Sequence, residues 1–161
     1  MGRTITRGVV GLLALALLVT LVCQTGPVLA QAKKSDSVVK ASATADKPGA
    51  DGKQTITITL DIERPWHLYA NPVENEDLTS VQTVVSLSAK QKLENVKIEY
   101  PDGKLHAEKE EKYKIYEGKI TIKATVKRAA GDDSPVEASI KVQACSDKTC
   151  LFPATIKVTT R

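Results

Sequence analysis

An all-β fold, an immunoglobulin-like antiparallel β-sandwich, is what this sequence predicts, and three observations carry the prediction. Polar and apolar residues alternate with period 2 in several short runs, the pattern of strands with one wet and one buried face. Turn signals built on Pro, Gly, Asp and Ser recur about every 8 to 15 residues. No stretch carries the apolar stripe of a packed helix. The chain has 161 residues, a one-domain length.

Residues 1–30 read as a secretory leader. Arg3 and Arg7 supply positive charge, Val9 to Val22 carries none, and Val28-Leu29-Ala30 offers small or apolar residues before a cleavage at Gln31. A second cleavage position follows Ala32. The apolar run, about 14 residues, is shorter than the roughly 20 that span a bilayer, so cleavage with no stable membrane insertion afterwards is expected. Cys23 follows the run as a lipidated cysteine would, but Val22 before it is not the small residue that lipidation needs. The mature chain is then periplasmic or secreted and keeps two cysteines, Cys145 and Cys150.

Residues 31–53 form a polar N-terminal tail or linker, with a turn at Pro48 and a short first strand at Val38 to Ala43 as its one candidate element. The domain is expected over 54–161. Its first strand is Thr55 to Ile62, alternating throughout and ended by Pro65. Val81 to Leu87 and Val96 to Tyr100 follow, the second closed by the turn Pro101-Asp102-Gly103. Leu105 to Lys114 is dense in charge and reads as an exposed loop. Alternation returns at Ile120, Ile122, Ala124 and Val126, and again from Val136 to Ala144. Cys145 to Cys150 is a tight connection, and Ala154 to Thr160 is the last strand. Seven or eight strands result.

Composition narrows the partners. Removing Arg3 and Arg7 takes the 23 basic residues to 21, against 19 acidic ones, with the signs interspersed. That balance, with 4% aromatic residues, argues against nucleic acid. His67 and His106 are far apart in sequence and share no metal spacing with the cysteines. Two thiolates without further ligands make a poor zinc site, so neither metal nor other cofactor is expected. No Ser/His/Asp or paired-carboxylate pattern suggests a hydrolase.

The C-x4-C spacing of Cys145-Ser146-Asp147-Lys148-Thr149-Cys150 leaves two readings open. In an oxidising compartment a disulfide is the default. Closing so short a loop stabilises by only about 2 kcal/mol, which argues mildly against a purely structural bond. A small exposed loop is also open to attack by another thiolate. The alternative is a non-catalytic immunoglobulin-like binding module with a structural disulfide.

The segment from Val142 to Val158 resembles the cysteine-bearing segment of the N-terminal periplasmic domain of the thiol:disulfide interchange protein DsbD family. Gln143, Ala144, Cys145, Cys150, Phe152 and Pro153 fit its pattern. Trp66-His67-Leu68-Tyr69 is similar to the family's aromatic segment after an alternating strand. Ile115-Tyr116-Glu117-Gly118-Lys119 resembles its approach to the next strand. The resemblance covers about residues 54 to 160.

It implies an immunoglobulin-like domain whose cysteine pair passes electrons to thioredoxin-like periplasmic oxidoreductases, as a protein-disulfide reductase would. Cys150 would form the mixed disulfide and Cys145 would resolve it. His67 and Tyr69 fall where the family has aromatics lining the cysteines, and Phe152 follows the second. The full-length family protein adds a multi-helix membrane domain and a thioredoxin-like domain, absent from these 161 residues. A separate membrane electron donor is therefore implied. The family's cap loop sets a Phe among acids. Here Glu108, Glu110, Glu111 and Tyr113 stand in the comparable loop, with Tyr113 as the candidate lid. Trp66 is expected in the core rather than the site.

Overall fold

A computed structural model describes residues 32–108 and 111–160. The leader, Cys23, Gln31 and Glu110 lie outside the described residues, as does the side chain of Glu108. Eleven strands account for the sheets among the described residues. In chain order they are β1 (Val39–Ala45), β2 (Lys53–Ile62), β3 (His67–Tyr69), β4 (Val84–Ala89), β5 (Glu94–Glu99) and β6 (Lys104–Glu108). Then follow β7 (Glu111–Tyr116), β8 (Lys119–Lys127), β9 (Val136–Val142), β10 (Ala144–Cys145) and β11 (Ala154–Thr159). The helical elements described are two short 3-10 turns, Ser35–Ser37 and Glu76–Leu78. No described helix is long and apolar enough to cross a membrane.

Every pairing between these described strands is antiparallel. One sheet runs β1-β2-β8-β5 and a second β11-β9-β4. The alternating residues of β2, β8 and β9 explain why these two close on each other. Ile56, Ile58 and Leu60, Ile122 and Ala124, and Val136 to Val142 at every second position all enter one buried cluster. Each fully buried Ile, Leu or Val stabilises by roughly 1.5–3 kcal/mol. At one end of the inner β2–β8 pair, the buried Arg128 guanidinium holds Asp132 at 2.8 Å and Gln54 at 3.1 Å. The charge is thus paired rather than stranded in the core.

The third sheet, β10-β3-β7-β6, positions the site. Opposed residues share a face, so Ala144, Leu68 and Tyr116 form one side of it, and all three join the main core. The other side carries Cys145, His67, Tyr69, Tyr113 and His106.

Two readings of the sequence change in the structure. The short first strand expected within the tail at Val38 to Ala43 is β1, paired with β2 from Val39↔Ile62 to Ala45↔Ile56, which ties that stretch to the sheet. Its burial alternates, with Val39 and Ala43 buried, Ala41 and Ala45 half-buried, and Lys40, Ser42 and Thr44 exposed, but most of the inner side chains are alanines, which give only a weak apolar signal. The charged loop expected at 105–114 is the β6–β7 hairpin, paired from Lys104↔Ile115 to Glu108↔Glu111. Backbone pairing holds it together, while charged side chains and the exposed Leu105 face solvent. In addition, the strand expected from Val81 begins at Val84. Val81 N–H closes a turn on Leu78, and Thr83 bonds through both its N–H and its hydroxyl to the Tyr69 carbonyl.

Candidate functional site

Cys145 and Cys150 face each other across a tight hairpin. Ser146 N–H donates to the Thr149 carbonyl at 2.9 Å, and Leu151 N–H donates to the Ala144 carbonyl at 2.8 Å. Between these two rungs the cysteines form a non-hydrogen-bonded pair, the position where opposed side chains approach most closely. They are joined by a disulfide with their Cα atoms 4.0 Å apart. The Ser146 hydroxyl, 3.2 Å from the Thr149 carbonyl, braces the turn.

This hairpin is the tip of the β9–β11 ladder, but it is out of step with it. Val142 opposes Ala154, while Ala144 pairs through its carbonyl with Leu151. Gln143 alone therefore stands opposite both Phe152 and Pro153, a β-bulge. Pro153 has no N–H to give the ladder, which makes its position in the bulge inexpensive. Past Gln143 the chain leaves the β9 sheet and pairs with β3, bringing Cys145 opposite His67.

The two cysteines differ in exposure. Cys145 is 2% exposed, and the Tyr69 hydroxyl, 3.6 Å from its Sγ, donates to it. Cys150 stands in solvent. A thiolate attacking a disulfide needs access to one sulfur, and here the open side is that of Cys150.

A wall of rings extends from Cys145. His67 is 4% exposed, and its ring centroid lies 6.3 Å from that of Tyr69 and 5.4 Å from that of His106. Tyr113, buried, sits 5.6 Å from Tyr69 and 5.1 Å from His106. Four of the six residues expected at the site, Cys145, His67, Tyr69 and Tyr113, thus share one face. Cys150 joins them through its sulfur. Phe152 lies on the bulge, 63% exposed. Trp66 packs half-buried against the core, with the Lys33 ammonium 5.7 Å from its ring. Glu111 is exposed at the start of β7.

His106 is a residue that sequence spacing missed. Far from His67 in the chain, it reaches the wall because His106 pairs with Tyr113 across a hairpin that charge density concealed. Nearby, Glu117 accepts from Lys104 Nζ at 2.9 Å. That bond, followed by the charges of Lys104, His67 and His106 and opposed by partial burial, holds the Glu117 carboxyl below the usual carboxylate range. Among the described residues no three His, Cys, Asp or Glu side chains converge to hold a metal ion.

A family model described as "Thiol:disulfide interchange protein DsbD, N-terminal" matches residues 34–161. The chain belongs to this family. Among solved structures, the N-terminal periplasmic domain of ScsB from Proteus mirabilis is similar at 15% identity and a TM-score of 0.60, covering 76% of this chain. The match spans about half, 46%, of that structure's length. At that identity the likeness speaks for the fold, a sandwich of the immunoglobulin-like kind. The Neisseria meningitidis DsbD N-terminal domain in its reduced form matches at 13% identity and a TM-score of 0.47, covering 78% of this chain and 85% of that one. The complex between the DsbD and PilB N-terminal domains of the same organism matches at 12% and 0.47, covering 73% and 80%. No curated protein matches the sequence. The family match begins at Lys34, so the segment before β1 belongs to the DsbD N-terminal domain along with the strands.

Proposed function

We propose that this domain performs periplasmic thiol:disulfide exchange, passing reducing equivalents between thioredoxin-like proteins through the Cys145–Cys150 pair. The unequal exposure of the two cysteines carries the reading: Cys150 meets the partner, and Cys145, 2% exposed, resolves.

In the reduced domain, the Cys150 thiolate attacks one sulfur of a partner disulfide. The partner's S–S bond breaks, its other sulfur leaves as a thiolate, and a mixed disulfide forms. Cys145 gives its proton to solvent and attacks Cys150 Sγ. The mixed bond breaks, the second partner thiolate leaves, and the intramolecular disulfide forms. The partner has gained two electrons. Recharging reverses these steps: a donor thiolate attacks Cys150, and Cys145 leaves as a thiolate. The Tyr69 hydroxyl, 3.6 Å from Cys145 Sγ, supports both directions by donating to that thiolate. His67 lies opposite the buried cysteine, Tyr113 packs behind Tyr69, and Phe152 offers an apolar surface near the exposed sulfur. Sulfur carries the electrons, so the steps use no cofactor. The recharging electrons come from a membrane electron donor.

Trapping tests the proposal. C145S, incubated with an oxidised periplasmic thioredoxin-like protein, accumulates a mixed disulfide through Cys150 on a non-reducing gel, and C150S accumulates far less. Equal trapping by both variants overturns the assignment of Cys150. No trapping with any such protein leaves an inert disulfide on a binding module, and the exchange reading falls.

A further inference from the structure

The β-bulge beneath the cysteines is filled by a residue from the other end of the chain. Ser35 is completely buried. Its hydroxyl donates to the Phe152 carbonyl at 2.8 Å and accepts from Ala144 N–H at 2.9 Å. Ser35 N–H also donates to the Phe152 carbonyl, at 2.9 Å. Ala144 precedes Cys145, and Phe152 lies two residues beyond Cys150. In a regular antiparallel ladder, Ala144 N–H would point to the Leu151 carbonyl. Here that carbonyl accepts from Gln143 Nε2 at 3.4 Å, and the Ser35 hydroxyl supplies the rung between the two arms. Ser35 is itself held by the 3-10 turn that closes from Val38 N–H to its carbonyl, just before β1.

We propose that Ser35 is a positioning residue for the cysteine pair: by tying both arms together at the bulge, its hydroxyl favours the disulfide over the dithiol. The reason is geometric. Two thiols cannot stay at bonding distance, so reduction pushes the sulfurs, and the arms that bear them, apart. A polar bridge across the fork resists that movement and holds the thiols at high effective concentration. A purely structural serine would instead support the oxidised and reduced domains equally.

This inference deepens the exchange reading, yet its test does not depend on a protein partner. The mature chain is equilibrated with glutathione. The domain's S–S bond breaks, two thiols form, and two glutathione thiols are oxidised to one glutathione disulfide. S35A should raise the constant for reduction about fivefold, making the pair about 20 mV more oxidising. Thr160→Ala is the control. It removes a similar bond, from Val136 N–H to the Thr160 hydroxyl at 3.0 Å, at the far end of the same ladder, and should leave the constant unchanged. Should S35A be too unstable to equilibrate, the isosteric pair S35T and S35V carries equal extra bulk and differs in the hydroxyl, and S35V should be the more readily reduced. An unchanged constant in S35A, an equal change in T160A, or equal constants for S35T and S35V overturns the proposal. A shifted constant with no trapping by C145S leaves Ser35 its role and removes the exchange reading alone.

Discussion

The hydroxyl of Tyr69 is the polar group given to Cys145 Sγ on the buried side of the bond. A hydrogen bond donated to a thiolate stabilises it. On the proposed exchange, Tyr69→Phe should therefore slow resolution of the mixed disulfide about fivefold, the worth of about 1 kcal/mol. Stopped-flow release of the partner thiol measures this, and an unchanged rate removes Tyr69 from the chemistry. Tyr116, on the opposite face, responds to pH differently. Burial pushes its phenol up, against the bond it accepts from Asn71 N–H, and its hydroxyl lies 3.0 Å from the Pro101 carbonyl, to which it donates. The folded state thus holds this proton more tightly than the unfolded chain. The stability it contributes is fully present below about pH 10 and is lost as pH rises through the folded value. Tm followed from pH 8 to 11 should fall more steeply in the parent than in Tyr116→Phe.

At the level of strands, the β6–β7 hairpin decides whether the ring wall exists. Gly103, just before β6, lies where a Cβ would come within 2.5 Å of Ala70 Cβ and 2.8 Å of Lys114 Cβ. Gly103→Ala must push β6 away from β7 and the end of β3. It should cost about 1–3 kcal/mol in a urea titration, as overpacking does, and lift His106 from Tyr113. The same hairpin marks where sequence reading stops. β2, β8 and β9 were legible because each buries one whole face, so alternation had to be written into them. β6 has no such face: Leu105 is exposed and His106 half-buried, and pairing satisfies the backbone without an apolar pattern. β1 was fainter for a related reason, since three of its four inner positions are alanine. The cysteines and Tyr69 stood in recognisable motif segments, while Tyr113 was visible only as a candidate lid in a stretch read as a loop. His106 and Ser35 were not readable, because each acquires its place through a register or a contact that no local spacing encodes.

For the whole molecule, the disulfide is a minor part of stability. Its six-residue loop is worth about 2 kcal/mol, small beside a core assembled from β2, β8 and β9. The reduced domain should stay folded, with Tm lowered by about 10 °C or less and unchanged far-ultraviolet dichroism; unfolding on reduction at 25 °C would contradict a core independent of the bond. The contact between Ser35 and Phe152 has a further consequence, for timing. It joins residues 117 positions apart, almost the full span of the domain. In a chain made from its N-terminus, Ser35 comes at the start of the domain and Phe152 near the domain's end. The cysteines, five residues apart, meet as soon as their own segment emerges, whereas the bridge beneath them waits for a loop that spans most of the domain to close. A nascent or truncated chain thus holds the two sulfurs without the setting that governs them, and the bond takes on its mature properties only when the two ends of the domain meet.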